Sequence, residues 1–271
     1  MDIILPALIL SVMGVVFGVA LAFASKVFAI KADERVALVR EALPGANCAA
    51  CGYNGCDAFA EAVVKGEAKA NLCAVGGQPV ADRIGALMGI DAGNVELKTA
   101  RVKCAGTDDV CGDKLEYRGI ETCAAASMAQ EGPAACGYGC VGLGDCVRAC
   151  KFNAIYIYHG VADVIAARCT ACGMCAAACP KKLIELVPVK AHHMVRCVNK
   201  DRGAITSKSC KAGCIGCKRC TTVCSVGAVT VSDNLASIDT AKCRQCGECI
   251  KVCPRKCINY YDCVLRGDEA V

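Results

Sequence analysis

Residues 3–24 run without a single charge. As a helix rising 1.5 Å per residue they would reach roughly 33 Å, enough for the hydrocarbon core of a bilayer. Asp2 is the only early charge, so the basic lead-in of a cleaved signal is missing and the stretch predicts a retained anchor helix. Lys26, Lys31, Arg35 and Arg40 follow it and nothing basic precedes it. That asymmetry predicts a single pass through the cell (inner) membrane with the rest of the chain on the cytoplasmic side. Gly14, Gly18 and Ala22 share one face and predict close contact with another helix in lipid. After the anchor the pattern shortens. DAFAEAVVKGEA (57–68) reads as a helix begun by Asp57. FNAIYIYHGVADVIAARC (152–169) and VGAVTVSDNLASIDTAK (226–242) each predict two short strands. Their turns fall at His159-Gly160 and Asp233-Asn234.

Composition changes this picture. The chain has 271 residues, 27 cysteines, 4% aromatics and no tryptophan. With so few large core side chains, small domains need disulfides or metal to hold together. A disulfide scaffold fits poorly, because the count is odd and cysteines three apart recur in triplets that cannot all be bridged without strain. A tetrahedral zinc ion does not call for triplets closed by a fourth cysteine and proline.

Iron–sulfur chemistry does. CRQCGECIKVCP (243–254) has the spacing C-x2-C-x2-C-x3-C-P, in which three thiolates hold one cubane and the fourth reaches its neighbour. CIGCKRCTTVC (214–224) is its partner. Cross-ligation predicts one [4Fe–4S] cluster on Cys214, Cys217, Cys220 and Cys253, and another on Cys243, Cys246, Cys249 and Cys224. The arrangement is duplicated upstream. CTACGMCAAACP (169–180) predicts a cluster on Cys169, Cys172, Cys175 and Cys150. Its partner run, CGYGCVGLGDCVRAC (136–150), has Leu143 where the middle ligand belongs. Cys136 is the nearest replacement, giving Cys136, Cys140, Cys146 and Cys179; a three-iron cluster there is the alternative.

CAACGYNGC followed by Cys73 supplies a different set, Cys48, Cys51, Cys56 and Cys73. Four close thiolates without histidine predict a further [4Fe–4S] cluster, with zinc as the competing occupant. That makes at least five. A sixth would use Cys104, Cys111 and Cys123, with Cys136 or Cys197 as fourth ligand. RVKC (101–104) resembles MVRC (194–197), and Cys123 precedes Cys136 by the separation of Cys197 from Cys210, as remnants of the duplication would. Cys257 and Cys263 read as small buried apolar residues, and Cys197 and Cys210 are left without an assigned role.

The net charge is +5, and residues 181–219 hold ten Lys/Arg against Glu185 and Asp201. No aromatic stacking set accompanies these cations, so nucleic acid is not expected. They suit an acidic redox partner, or an ordinary solvated linker. No glycine fingerprint follows a strand, and there is no Walker loop or hydrolytic constellation, so the chain itself carries no catalytic nucleotide site.

The anchor ending ASKVFAI, the domain CAACGYNGCDAFAEAVVKGEA and the ferredoxin runs after it resemble the B subunit of the Rnf family of ion-translocating ferredoxin:NAD+ oxidoreductases, in a long form with two ferredoxin modules. The resemblance implies an enzyme component that accepts electrons from soluble ferredoxin. It would pass them towards membrane and NAD-binding partner subunits while ions move. A membrane-anchored polyferredoxin serving a hydrogenase or dehydrogenase without ion pumping is the alternative; the four-cysteine domain argues against it. The expected fold is α+β. It comprises an anchor helix (1–30), a small helical four-cysteine domain (31–95), a first ferredoxin-like module with a cysteine-rich lead-in (96–190) and a second two-cluster module (191–271).

Overall fold

In the computed structural model, residues 4–27 and 33–261 are described, with side chains from 11 to 24 in the first segment. Helix α1 (Ile4–Val27) is the first element. Val15, Val16, Phe17, Val19, Leu21 and Phe23 on it are all exposed. Counted over the described residues, no helix is long and apolar enough to cross a membrane; the described side chains of α1 cover only about 21 Å.

Three helices build the next unit: α2 (Glu34–Ala42), α3 (Cys56–Val64) and α4 (Gly77–Met88). Asp33 caps α2 by accepting from the Arg35 N–H. The expected helix starts one residue early, at Cys56, whose N–H donates to Asn47 Oδ1 at 2.8 Å. Val39, Phe59, Val63 and Ile84 form its small core.

The rest of the chain is two modules of the same plan. The first contains β1 (Lys98–Val102), α5 (Cys123–Met128), α6 (Asp145–Ala149), β2 (Ile155–Tyr158), β3 (Val161–Val164), α7 (Met174–Ala178) and β4 (Ile184–Pro188). The second contains β5 (His193–Val195), α8 (Gly203–Ser209), α9 (Arg219–Thr222), β6 (Val229–Ser232), β7 (Leu235–Ile238), α10 (Glu248–Lys251) and β8 (Ile258–Tyr260). Both hairpins form at the expected turns, with Tyr158 opposite Val161 and Ser232 opposite Leu235. His159, Gly160, Asp233 and Asn234 all have positive φ, the conformation that lets a two-residue turn follow the strand twist.

Each module is also closed by a strand that arrives from outside its cysteine runs. β1 pairs antiparallel with β4, with Val102 opposite Ile184, and β5 pairs with β8, with Val195 opposite Ile258. The RVKC and MVRC segments are therefore equivalent strand ends, each delivering a cysteine to the module edge. Tyr261 ties the modules together. Its hydroxyl donates to the Val102 carbonyl at 3.3 Å, and the Arg101 guanidinium lies 4.4 Å over its ring.

In both modules a ligand loop rests on its own hairpin turn. A side chain on Gly216 would meet the Asn234 backbone at 2.9 Å, and one on Gly142 would meet the Gly160 carbonyl oxygen at 2.7 Å. Gly216 also has φ +65°. Gly216→Ala should therefore destabilise the second module by about 1–3 kcal/mol through backbone strain alone. A thermal melt giving an unchanged midpoint would show that the loop does not depend on this contact.

Candidate metal centres

The described cysteines gather into six groups, and none of them is in a disulfide. Cys48, Cys51, Cys56 and Cys73 form the first. Burial raises the Cys73 thiol, and the neighbouring Cys51, Cys56 and Cys48 raise it further.

In the second module, Cys214, Cys217, Cys220 and Cys253 line one cavity, together with Cys257. Cys224 joins Cys243, Cys246 and Cys249 at another group, where burial raises Cys249 and the other three add to the effect. The fourth cysteine of each run thus crosses to the partner group. The same crossing occurs in the first module, where Cys150, Cys169, Cys172 and Cys175 line a single cavity.

The altered site departs from the expected grouping. Its cavity is lined by Cys123, Cys140, Cys146 and Cys179, and Cys136 lies elsewhere. A carboxylate explains why Cys123 stands there. Asp145, beside Cys146 on α6, accepts from the N–H groups of Cys123 and Ala124, both at 3.0 Å. Arg148 holds that carboxylate and also donates to the carbonyls of Leu143 and Glu121. The N-terminus of α5 is thereby pinned against the loop that lacks a cysteine at Leu143. Thr122 caps α5 at the same end by accepting from the Ala125 N–H.

Cys136 belongs to a sixth group, lying between the modules. Cys104, Cys111, Cys136, Cys197 and Cys210 line one cavity with Lys103, Arg196 and Asn199. The expected trio of Cys104, Cys111 and Cys123 is thus divided between two cavities, and Cys197 and Cys210 gain a place. The buried Asn199 amide donates to Cys136 Sγ at 3.5 Å. The Cys140 N–H donates to Cys104 Sγ at 3.5 Å, and the Cys214 N–H to Cys197 Sγ at 3.4 Å. The junction cavity is thus linked by one backbone bond to a cysteine site in each module. One sequence signal pointed this way. Cys210 stands four residues before Cys214 as Cys136 does before Cys140, although the second run lacks nothing.

Two opposing influences act on the sulfurs. Backbone N–H groups of Ala100, Ala154, Leu183, Ala228 and Ala236 donate to Cys169, Cys150, Cys179, Cys224 and Cys214 at 3.2–3.4 Å. Such donors favour anionic sulfur. Burial acts in the opposite direction. It pushes the thiols of Cys140, Cys175 and Cys220 up to about 11 and Cys146 to about 12. Loss of these protons at neutral pH therefore needs a bound cation, and binding releases them. Among the described residues no three His, Cys, Asp or Glu side chains converge tightly enough to hold one metal ion. The four cavities are instead each lined by four or five cysteines. Sulfur donors spread around such a space, with N–H groups aimed at them, fit a polynuclear iron–sulfur cluster ligated at its corners. Cys263 lies outside the described residues.

Comparison with known proteins agrees with this chemistry. A family model for an Fe–S cluster domain matches residues 43–75, and one for a 4Fe-4S dicluster domain matches residues 213–257. The chain is 45% identical to the B subunit of the Na(+)-translocating ferredoxin:NAD(+) oxidoreductase complex of Acetobacterium woodii, over 95% of this chain and 78% of that protein. It is 42% identical to the B subunit of the ion-translocating oxidoreductase complex of Methanosarcina acetivorans, over 92% and 95% of the two chains. The B subunit of the proton-translocating ferredoxin:NAD(+) oxidoreductase complex of Clostridium ljungdahlii is 38% identical over 93% and 90%.

If Asp145 is what seats Cys123, Asp145→Ala should cost about 1.5–3 kcal/mol for the charged acceptor lost. Cys123, only 7% exposed, should then become open to alkylation. Mass-spectrometric labelling that leaves Cys123 as protected as in the parent would count against this role.

Proposed function

Because the chain belongs to the B-subunit family of Rnf-type ion-translocating ferredoxin:NAD(+) oxidoreductase complexes, we propose that it takes electrons from reduced ferredoxin and relays them to partner subunits of such a complex. The observation that carries this reading is that both modules deliver cysteines to one junction cavity, where the Asn199 amide of the second module donates to Cys136 Sγ of the first at 3.5 Å. When bound, [4Fe–4S] clusters supply one-electron transfer. The chain's own residues ligate them, exclude water from them and direct N–H groups at their sulfurs.

The donor sets follow the six groups. Cys48, Cys51, Cys56 and Cys73 hold one cluster. Cys123, Cys140, Cys146 and Cys179 hold a second, and Cys150, Cys169, Cys172 and Cys175 a third. Cys214, Cys217, Cys220 and Cys253 hold a fourth, and Cys224, Cys243, Cys246 and Cys249 a fifth. The junction cavity holds a sixth on four of its five cysteines.

Two surfaces support a location and a partner. The 24 residues of α1, about 36 Å long as a helix, anchor it in the cell membrane. The cations that follow keep its cluster domains in the cytoplasm. Lys200, Lys208, Lys211, Lys218 and Arg219 are exposed, and so is Cys217. This basic rim beside an exposed ligand suits an acidic ferredoxin, whose approach it would steer.

Iron and acid-labile sulfide in the anaerobically purified protein test the reading directly. Six cubanes require about 24 iron per chain, and zinc with little iron would end it. In EPR of the reduced protein, Cys123→Ala should alter the signal of the site that includes Cys140, Cys146 and Cys179. Cys136→Ala should spare that signal and change another. The opposite pattern would return Cys136 to the altered run. Charge reversal in Lys218→Glu/Arg219→Glu should slow oxidation of reduced ferredoxin about tenfold at low ionic strength, with the difference shrinking as salt is added. Stopped-flow rates equal to the parent's would place the docking surface elsewhere.

A further inference from the structure

The cavity of Cys214, Cys217, Cys220 and Cys253 contains a fifth thiol, Cys257. Its side chain is 2% exposed, and its sulfur lies 3.6 Å from Cys253 Sγ and in hydrogen-bonding contact with Cys214. Neither the ferredoxin spacing nor the cross-ligation pattern needs it.

The duplicated module supplies the comparison. Cys257 follows Cys253 by four residues, as Leu183 follows Cys179. The local backbones match. Lys256 and Lys182 both take positive φ, at 49° and 51°. Each lysine N–H donates back to the preceding ligand's carbonyl, at 3.2 Å in one module and 3.0 Å in the other. The carbonyl of Cys257 accepts from Arg196, and that of Leu183 from Lys103, at 2.7 and 2.8 Å. Leu183 is as buried as Cys257 and lines the equivalent cavity. The two positions therefore share backbone, burial and place at the site. They differ in one chemical respect: leucine has no hydrogen to give, whereas a thiol can donate to sulfur.

We propose that Cys257 is a positioning residue whose S–H donates to the ligand sulfur of Cys253, raising the reduction potential of this site above the value it would have with the leucine of the first module. The inference rests on the cluster assignment above. One-electron reduction adds one negative charge to a cluster and its thiolates, and a donor aimed at those sulfurs stabilises the reduced form more than the oxidised one. Backbone donors are matched at the first ligand of each site, Gly216 and Ala236 facing Cys214 as Gly142 and Ala162 face Cys140. Cys257 adds a donor from the side chain alone. Its carbonyl, fixed by Arg196, holds the thiol in place.

The test is an EPR-monitored redox titration of the full chain with its clusters, reduced with dithionite. Cys257→Leu and Cys257→Ala should move one titrating component to lower potential, leaving the others and the iron content unchanged. Cys257→Ser, which keeps a donor, should hold that component near its parental position. The reciprocal Leu183→Cys should raise one component of the first module. Identical midpoints in the parent and Cys257→Leu would reduce Cys257 to a space-filling residue. A loss of about four iron per chain in Cys257→Ala would make it a ligand instead; either result overturns the proposal. A parent protein without iron and sulfide would overturn the cluster assignment itself, which separates the two failures.

Discussion

Burial of sulfur is the constraint on which the rest of this structure depends. A thiol taken out of water resists losing its proton, as at Cys146 and Cys175, yet an iron–sulfur ligand must be a thiolate. The chain meets both demands by surrounding its sulfurs with backbone donors and arranging them to share a bound cation. It has little other means of cohesion. Cysteines are three of the ten buried members of the first module's hydrophobic cluster and five of the nine in the second, among aliphatic side chains such as Val161, Leu183, Val229 and Ile258. Folding and loading of these modules are therefore one process. The four-cysteine domain differs, because Phe59, Ile84 and Val39 give it a small conventional core.

Duplication explains the plan and divergence explains the function. Two modules share their hairpin turns, their loop-on-turn contacts and their flanking strand pairs. One has Leu143 at the middle position of a run and brings Cys123 to that cavity, its N–H held by Asp145. The other keeps all four ligands and adds Cys257 beside them. Sites descended from one ancestor have thereby acquired different surroundings, as a relay needs if its potentials are to differ along its length. The junction cavity is a product of the pairing itself. Cys104, Cys111 and Cys136 come from the first module and Cys197 and Cys210 from the second, so neither could complete it alone.

Charge and apolarity are separated along the chain. The uncharged face lies at α1, while the exposed lysines and arginine sit near Cys217 in the second module. A donor attracted by those cations would meet an exposed ligand, whereas the junction cysteines behind it are buried.

The runs around Cys169, Cys214 and Cys243 were legible in the sequence because three ligands on one loop must be spaced locally. The turns at His159-Gly160 and Asp233-Asn234 were legible for a similar reason: two residues suffice to reverse a strand. The four-cysteine domain could be grouped because its glycines and its helix lie within one short stretch. What only the tertiary structure decided depends on contacts between distant residues. Cys123 replaced Cys136 because Asp145, 22 positions away, captures its N–H group. Cys197 and Cys210 join Cys104, Cys111 and Cys136 because the second module packs against the first, Asn199 donating to Cys136 Sγ and Tyr261 to the Val102 carbonyl. Cys257 looked like core filling until folding set its sulfur against Cys253. Local spacing fixes which cysteines can share a loop; long-range packing fixes which loops share a cavity, and no periodicity along the chain records that.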